Sequence, residues 1–172
     1  IVNDYRLKLG AKEFVPIVIG GMGVNISTSE LALEACRLGG IGHISDAMVF
    51  VIADRKFGTD FSTSKYEKNK AYKQSFDKSC VKFDLEDLYR AQKMHVQHTM
   101  EKKRGGGAVF INIMEKLTMA DPLSTLEARL RAALDGGVDG ITLSAGLHTH
   151  SLSLMESHPR FRDAKIGIVV SS

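Results

Sequence analysis

The sequence predicts a parallel α/β fold, and three observations lead to it. Short apolar runs recur at residues 14–19, 41–45, 108–114, 138–144 and 165–170. Segments with helical spacing of apolar residues separate most of these runs, and glycine pairs (Gly39-Gly40 and Gly136-Gly137) mark the returns from helix to strand. Strict alternation with short returns is the pattern of parallel strands, because every crossover must carry the chain back along the sheet before the next strand begins.

Each element has its own signal. The run at 14–19 ends in Gly20-Gly21 and suits a strand buried on both faces. Ser27 and Glu30 stand at capping-box spacing, which predicts a helix carrying Leu31, Ala35 and Leu38 on its buried face and stopped by Gly39. Residues 41–45 form the second strand. Residues 46–83 are rich in Lys, Ser, Asp and Tyr without a sustained period. They are expected to be a long insertion with at most a short helix, serving as a lid or as a contact between copies in a homo-oligomer. A helix over 84–104 follows, with Leu85, Tyr89, Val96 and Met100 as its apolar face, and three glycines stop it. Residues 108–114 are the third strand. Asp121-Pro122 predicts an N-cap and first helical residue, and Leu123, Leu126, Leu130 and Leu134 keep helical spacing behind it. The fourth strand covers 138–144, a short polar helix 151–162, and the fifth strand 165–170.

Residues 35–45 and 133–142 both read helix, Gly-Gly, strand. Such internal similarity is expected of repeated βα units, so the fold class is α/β, a (β/α)8 TIM barrel. The run 166–170 is wholly apolar, as a strand buried on both faces would be, and no covering helix follows it. The expectation is therefore that residues 1–172 are the N-terminal part of one barrel domain, holding strands 1–5. Ile1 in place of Met likewise suggests that residues precede it.

Composition narrows the class of function. With 44% hydrophobic and 25% charged residues, the chain has the balance of a soluble globular protein. No apolar run reaches the ~18 residues of a membrane span. Lysines cluster over 65–82 and at Lys102-Lys103-Arg104, but acids alternate with them, so a solvated face and no nucleic acid is expected. Two cysteines, Cys36 and Cys80, are too few for a disulfide framework, and a cytoplasmic setting follows.

The glycine turn after the first strand reads Gly20-Gly21-Met22-Gly23-Val24-Asn25-Ile26. It supplies G-x-G, but Ile26 stands where a dinucleotide fingerprint needs its third glycine, and no suitably placed acid follows. The glycines either let the backbone approach a flat ligand or make a tight turn into the helix. Asn112 interrupts an apolar strand, and its amide needs a partner, in a ligand or in the core. His148 and His150 sit just past the fourth strand without an acid or cysteine at ligand spacing, so no metal site is expected. His95 and His98 are read as exposed positions on one helix face, and His43 as structural.

Residues 16–23, then Leu31-Ala32 and residues 39–45, resemble the opening of the nitronate monooxygenases, formerly called 2-nitropropane dioxygenases; bacterial FMN-dependent enoyl-ACP reductases share it. Residues 110–114 are similar to the family's third strand, residues 133–146 to its fourth βα unit, and residues 165–172 to its fifth strand. The resemblance implies an FMN-dependent oxidoreductase that oxidises alkyl nitronates with O2 to a carbonyl compound and nitrite. It implies that Gly21, Met22 and Gly23 line the flavin ring, that Asn112 hydrogen-bonds it, and that Ser171 or Ser172 lies near its edge. Ser144, Ala145 and Gly146 would face the substrate. The family's catalytic histidine and phosphate-binding glycines belong to later strands and have no counterpart here, and the insertion at 46–83 departs from the short family members. Two alternatives remain: an FMN-dependent reductase that passes hydride from NAD(P)H to an enoyl thioester, including one serving a lipid or polyketide synthase, and an inactive half-barrel fragment.

Overall fold

The computed structural model describes residues 4–23, 26–74, 76–115, 119–146 and 148–170. An antiparallel hairpin comes first, with β1 (Leu7–Leu9) paired to β2 (Lys12–Phe14). Phe14 therefore belongs to the hairpin, and the strand read at 14–19 shrinks to β3 (Val18–Ile19). Pro16, which has no backbone N–H to give a ladder, stands in the break. The remaining strands are β4 (Ile41–Ser45), β5 (Ala108–Met114), β6 (Gly140–Ser144) and β7 (Lys165–Ile168). They pair in chain order, β3-β4-β5-β6-β7, and every pair is parallel. The sheet curls into a half-barrel, so the α/β reading and its partial-barrel form both hold.

Alternation along the strands divides the sheet into two faces. Ile44, Val109, Ile111, Ile113, Ile141 and Leu143 all point to the helix-covered outside and pack there into one core. Helices α1 (Ser29–Arg37), α4 (Leu85–Glu101) and α5 (Pro122–Asp135) supply its outer layer through Ala32, Cys36, Val96, Leu126, Leu130 and Leu134. On the concave face, Ile41, Ala108 and Phe110 close the N-terminal end of the barrel against Phe14, with Leu7 and Leu9 packed beside them. The hairpin is thus a plug that no periodicity in so short a segment announced.

Several helix faces differ from the sequence reading. In α1 the buried residues are Ser29, Ala32, Ala35 and Cys36, while Leu31 and Leu38 are exposed. Small side chains win there because the helix backbone at Ala32 lies directly on β4 at Gly42. Its N-cap is Thr28, whose hydroxyl accepts from the Leu31 N–H, so the cap sits one residue later than the Ser27–Glu30 pattern suggested. Helix α4 buries Leu88, Ala91 and Val96 together with Gln92, His95 and Thr99, and leaves Leu85 exposed. His95 is accordingly a core residue and not a surface one. In α5 the side chain of Asp121 makes no cap, since its backbone is left-handed at φ 52°. Residues 151–162 form successive hydrogen-bonded turns in place of a helix. In β7, Ile168 is exposed, as are Val169 and Val170 beyond it, so this segment is not buried on both faces.

The 46–83 insertion is itself folded. Helices α2 (Val49–Phe57) and α3 (Phe61–Lys68) and a 3-10 turn at Lys70–Tyr72 fill most of it. Val49, Phe50, Ala53 and Phe61 build a second small core against Leu88 and Ala91 of α4. Asp54 ties the two short helices together. Its carboxylate accepts from the Phe61 and Ser62 backbone N–H groups, at 2.9 Å each, and from the Thr59 and Ser62 hydroxyls. No helix among the described residues is long and apolar enough to cross a membrane.

Two buried polar groups govern stability. Arg129 (1% exposed) and Asp46 (0%) form an ion pair between α5 and the end of β4. Arg129 Nη1 also donates to the Met114 carbonyl at 2.7 Å, and its Nε to the Thr125 carbonyl at 3.1 Å. Removing one partner strands the other charge in the core, so Arg129→Met should cost about 3–5 kcal/mol in urea unfolding, and the double change with Asp46→Leu should recover most of that loss. His95 is the second group. Burial, with Lys56 nearby, pushes its pKa down to about 4, and neither ring nitrogen has a partner among the described residues. Because the folded value lies below the unfolded one, the unfolded chain takes up this proton first as the pH falls. Stability should decline between pH ~6.5 and pH ~4, at up to about 1.4 kcal/mol per unit. His95→Leu should flatten that part of the denaturation profile.

Candidate functional site

The open part of the concave face lies above the hydrophobic plug, at the C-terminal ends of the strands. Pairing sets Ser45 beside Asn112, Asn112 beside Thr142, and Met114 beside Ser144. These residues share parity with Phe110, which faces the plug, so they project into the half-barrel. An apolar layer at Ile41 and Phe110 thus gives way, within one residue pair, to a polar layer of Ser45, Asn112 and Thr142.

His43 sits at that transition and joins three strands. Its Nδ1 is 2.8 Å from the Ile19 carbonyl and its Nε2 is 2.8 Å from the Thr142 hydroxyl. A carbonyl only accepts, so Nδ1 carries the proton and Nε2 accepts from Thr142. Burial pushes the His43 pKa below its usual range, against the opposing pull of the Ile19 carbonyl. The ring also packs edge-on to Phe110, with centroids 5.4 Å apart. His43 is a neutral strut whose two nitrogens are both engaged.

The glycine turn folds over this layer. Ser27 pins it, accepting from the Met22 N–H at 2.6 Å and donating to the Gly20 carbonyl at 3.2 Å. A side chain at Gly21 would place its Cβ 2.3 Å from the Cβ of Asn112. Gly21 is therefore glycine because the turn lies against β5, and two of the residues assigned to flavin by resemblance are in contact. Met22 is 58% exposed at the tip and Gly23 packs near Ala47. Asn112 is only 5% exposed, yet its side-chain amide makes no hydrogen bond to another described residue. One N–H donor pair and one carbonyl acceptor are thus held at the floor of the open face without a protein partner.

Ser144, Ala145 and Gly146 leave the end of β6 on the same rim. Ala145 adopts φ 53° and His148 φ 49°. The Glu115 carboxylate accepts from the His148 backbone N–H at 3.2 Å and occupies the place a side chain at Gly146 would take. His148 donates from Nε2 to the Ser144 carbonyl at 2.8 Å and accepts at Nδ1 from Ser151 at 2.9 Å. Both of its nitrogens serve the loop. His150 is exposed, and no group of three His, Cys, Asp or Glu side chains gathers among the described residues. Ser171 and Ser172 lie outside the described residues.

Sequence reasoning missed Asp46, Arg129, Thr142 and Glu115. Asp46 had a usable signal, since it is an acid directly at the C-terminal end of a strand, where parallel barrels place chemistry. No known family model matches the chain, and no curated protein matches it in sequence.

The contact between the turn and β5 makes a specific prediction. Gly21→Ala should destabilise the protein by about 1–3 kcal/mol in chemical unfolding. Asn112→Ala should not rescue it, because the clash is with Cβ, whereas Asn112→Gly should relieve part of the cost.

Proposed function

We propose that the concave face holds the ring of FMN and that the protein is an oxidoreductase of the nitronate monooxygenase kind. The observation that carries this reading is the uncommitted amide of Asn112, beside the Gly20–Gly23 turn and at the C-terminal mouth of the parallel strands. An amide that offers both a donor and an acceptor suits the edge of a flavin, where ring N–H and carbonyl groups alternate. A turn of glycines with an exposed tip suits a flat ring lying on backbone. The residues therefore fit the group.

In this reading Asn112 would hydrogen-bond the ring, and Gly21, Met22 and Gly23 would line it. Ser144, Ala145 and Gly146 stand on the rim where a substrate would enter. FMN, when bound, supplies the electron transfer, from a nitronate towards oxygen or from NAD(P)H towards an enoyl thioester. The protein's part is to position and to exclude water. His43 holds Thr142 so that its hydroxyl proton points to the imidazole, which presents only oxygen lone pairs towards the open face. No residue described is assigned as the base that takes a substrate proton.

The test is oxygen uptake by the purified protein supplemented with FMN and propyl-2-nitronate. Nitronate-dependent oxygen consumption with release of nitrite is expected, and Asn112→Leu should reduce it by about tenfold or more, the loss of a hydrogen bond made to an ionisable or strongly polar group. Reduction of an enoyl thioester by NAD(P)H, with no response to nitronate, would establish the reductase alternative. Inertness in both assays would count against a flavin enzyme.

A further inference from the structure

The insertion that carries α2 and α3 is attached to the rest of the molecule mainly along one seam, where α2 lies on α4. Leu88, Ala91, His95 and His98 follow one another at three- and four-residue spacing and so form one stripe along α4. At one end of the seam, Leu88 and Ala91 meet Val49, Phe50, Ala53 and Phe61. At the other, His98 meets Phe57 edge to face, with ring centroids 5.3 Å apart. His95 stands between these ends, 2% exposed, and neither of its ring nitrogens has a partner among the described residues. Lys56, next to Phe57 in α2, donates to the Ser29 hydroxyl at 3.3 Å and pairs with Glu30 at 3.6 Å. We propose that this seam is an acid-released latch, in which protonation of His95 detaches α2 and α3 from α4 while the parallel sheet stays folded. The inference does not depend on flavin binding.

Charge sets the direction. Lys56 of α2, Glu30 of α1 and His98 of α4 all bear on His95. Lys56 repels a second cation there, and His98 acts in the same sense. Glu30 opposes them, but its side chain is mostly exposed and already paired with Lys56. A proton on His95 therefore adds a buried cation near an ammonium group, with no acceptor held for either ring N–H. Opening the seam brings the ring into water, where it takes up the proton at its ordinary value. Burial, reinforced by Lys56, holds His95 down at about 4 while the seam is closed. The closed form is thus fully favoured above pH ~6.5 and loses ground until pH ~4, where the closed form is protonated as well.

Packing decides which part yields. The main core joins Val109, Ile111, Ile113, Ile141 and Leu143 to residues of α1, α4 and α5, and no residue of α2 or α3 belongs to it. Helix α2 starts at Met48 with φ 59° and no side-chain cap. Asp54 binds α2 to α3, so the two short helices move as one unit. Beyond the seam, α3 is tied to α4 by the exposed Lys68–Asp84 pair and by Arg90 over the Phe61 ring at 5.6 Å. Contacts of both kinds are weak at exposed sites. A unit held by one small core opens at lower free energy than the whole molecule.

The experiment is hydrogen exchange of the whole chain read by mass spectrometry at pH ~7.5 and pH ~5, corrected for the intrinsic pH dependence of amide exchange. The opening constant of residues 49–68 should rise about tenfold or more between the two values. It should exceed that of residues 108–114 at both. His95→Gln and His95→Leu each remove the titrating group, one keeping a polar side chain and one replacing it with an apolar one. In whichever of them folds, the rise should shrink to less than about threefold. An opening constant for residues 49–68 that does not change with pH would overturn the proposal. So would one common constant for both regions at pH ~5, or a full response kept in a folded His95 variant.

Discussion

The buried pair of Asp46 and Arg129 is the constraint on which the functional end of the molecule depends. Neither charge reaches water, so each requires the other; the backbone gives Arg129 two further acceptors, while Asp46 Oδ1 and Arg129 Nη2 have no partner among the described residues. Arg129 draws together α5, through the Thr125 carbonyl, and β5, through the Met114 carbonyl, while the Asp46 N–H donates to the Asn112 carbonyl at 3.1 Å. The ends of β4 and β5 are thereby fixed beside Asn112. Asp46 also lines the depression formed by the insertion.

Around that clamp the molecule sorts its polar groups by whether they are satisfied. His43, Thr142, Ser27, Glu115 and His148 all have partners and act as struts. Asn112 does not, although it is nearly buried in the middle of a strand. Its amide atoms are not among the fully buried polar atoms without a partner, which include those of Gln92 and His95, so they lie at the open face where a ligand would meet them. The neutrality of His43 belongs to the same logic. A charged imidazole in this position would face the Ile19 carbonyl but also lose its acceptor role towards Thr142.

How much of this was legible in the sequence depends on how long and how regular each signal is. The four strands from 41 to 168 were readable because each is a short apolar run bounded by glycine or polar residues, and parallel order followed from alternation. The hairpin was not, since three-residue strands carry no period and Phe14 sits in an apolar run with β3. The insertion was misjudged because Val49-Phe50-Val51-Ile52 is a block of adjacent apolar residues without helical spacing, although it folds as α2. Leu31 and Leu85 were assigned to helix faces by spacing alone, while close packing gave much of those faces to alanine, cysteine and polar residues; in α5, Leu126, Leu130 and Leu134 are buried as their spacing predicts, and Leu123 is exposed. Within the candidate site, Gly21 and Asn112 were both singled out, but only the fold shows that they touch. The ion pair spans 83 positions and could not be inferred from either residue alone.

We propose that the concave face at the strand ends holds a flavin ring. The visible absorption spectrum of the purified protein, taken before and after heat release of bound small molecules, tests it most directly. The account predicts flavin bands on the protein and FMN in the supernatant. A colourless protein that fails to retain added FMN through gel filtration would contradict it.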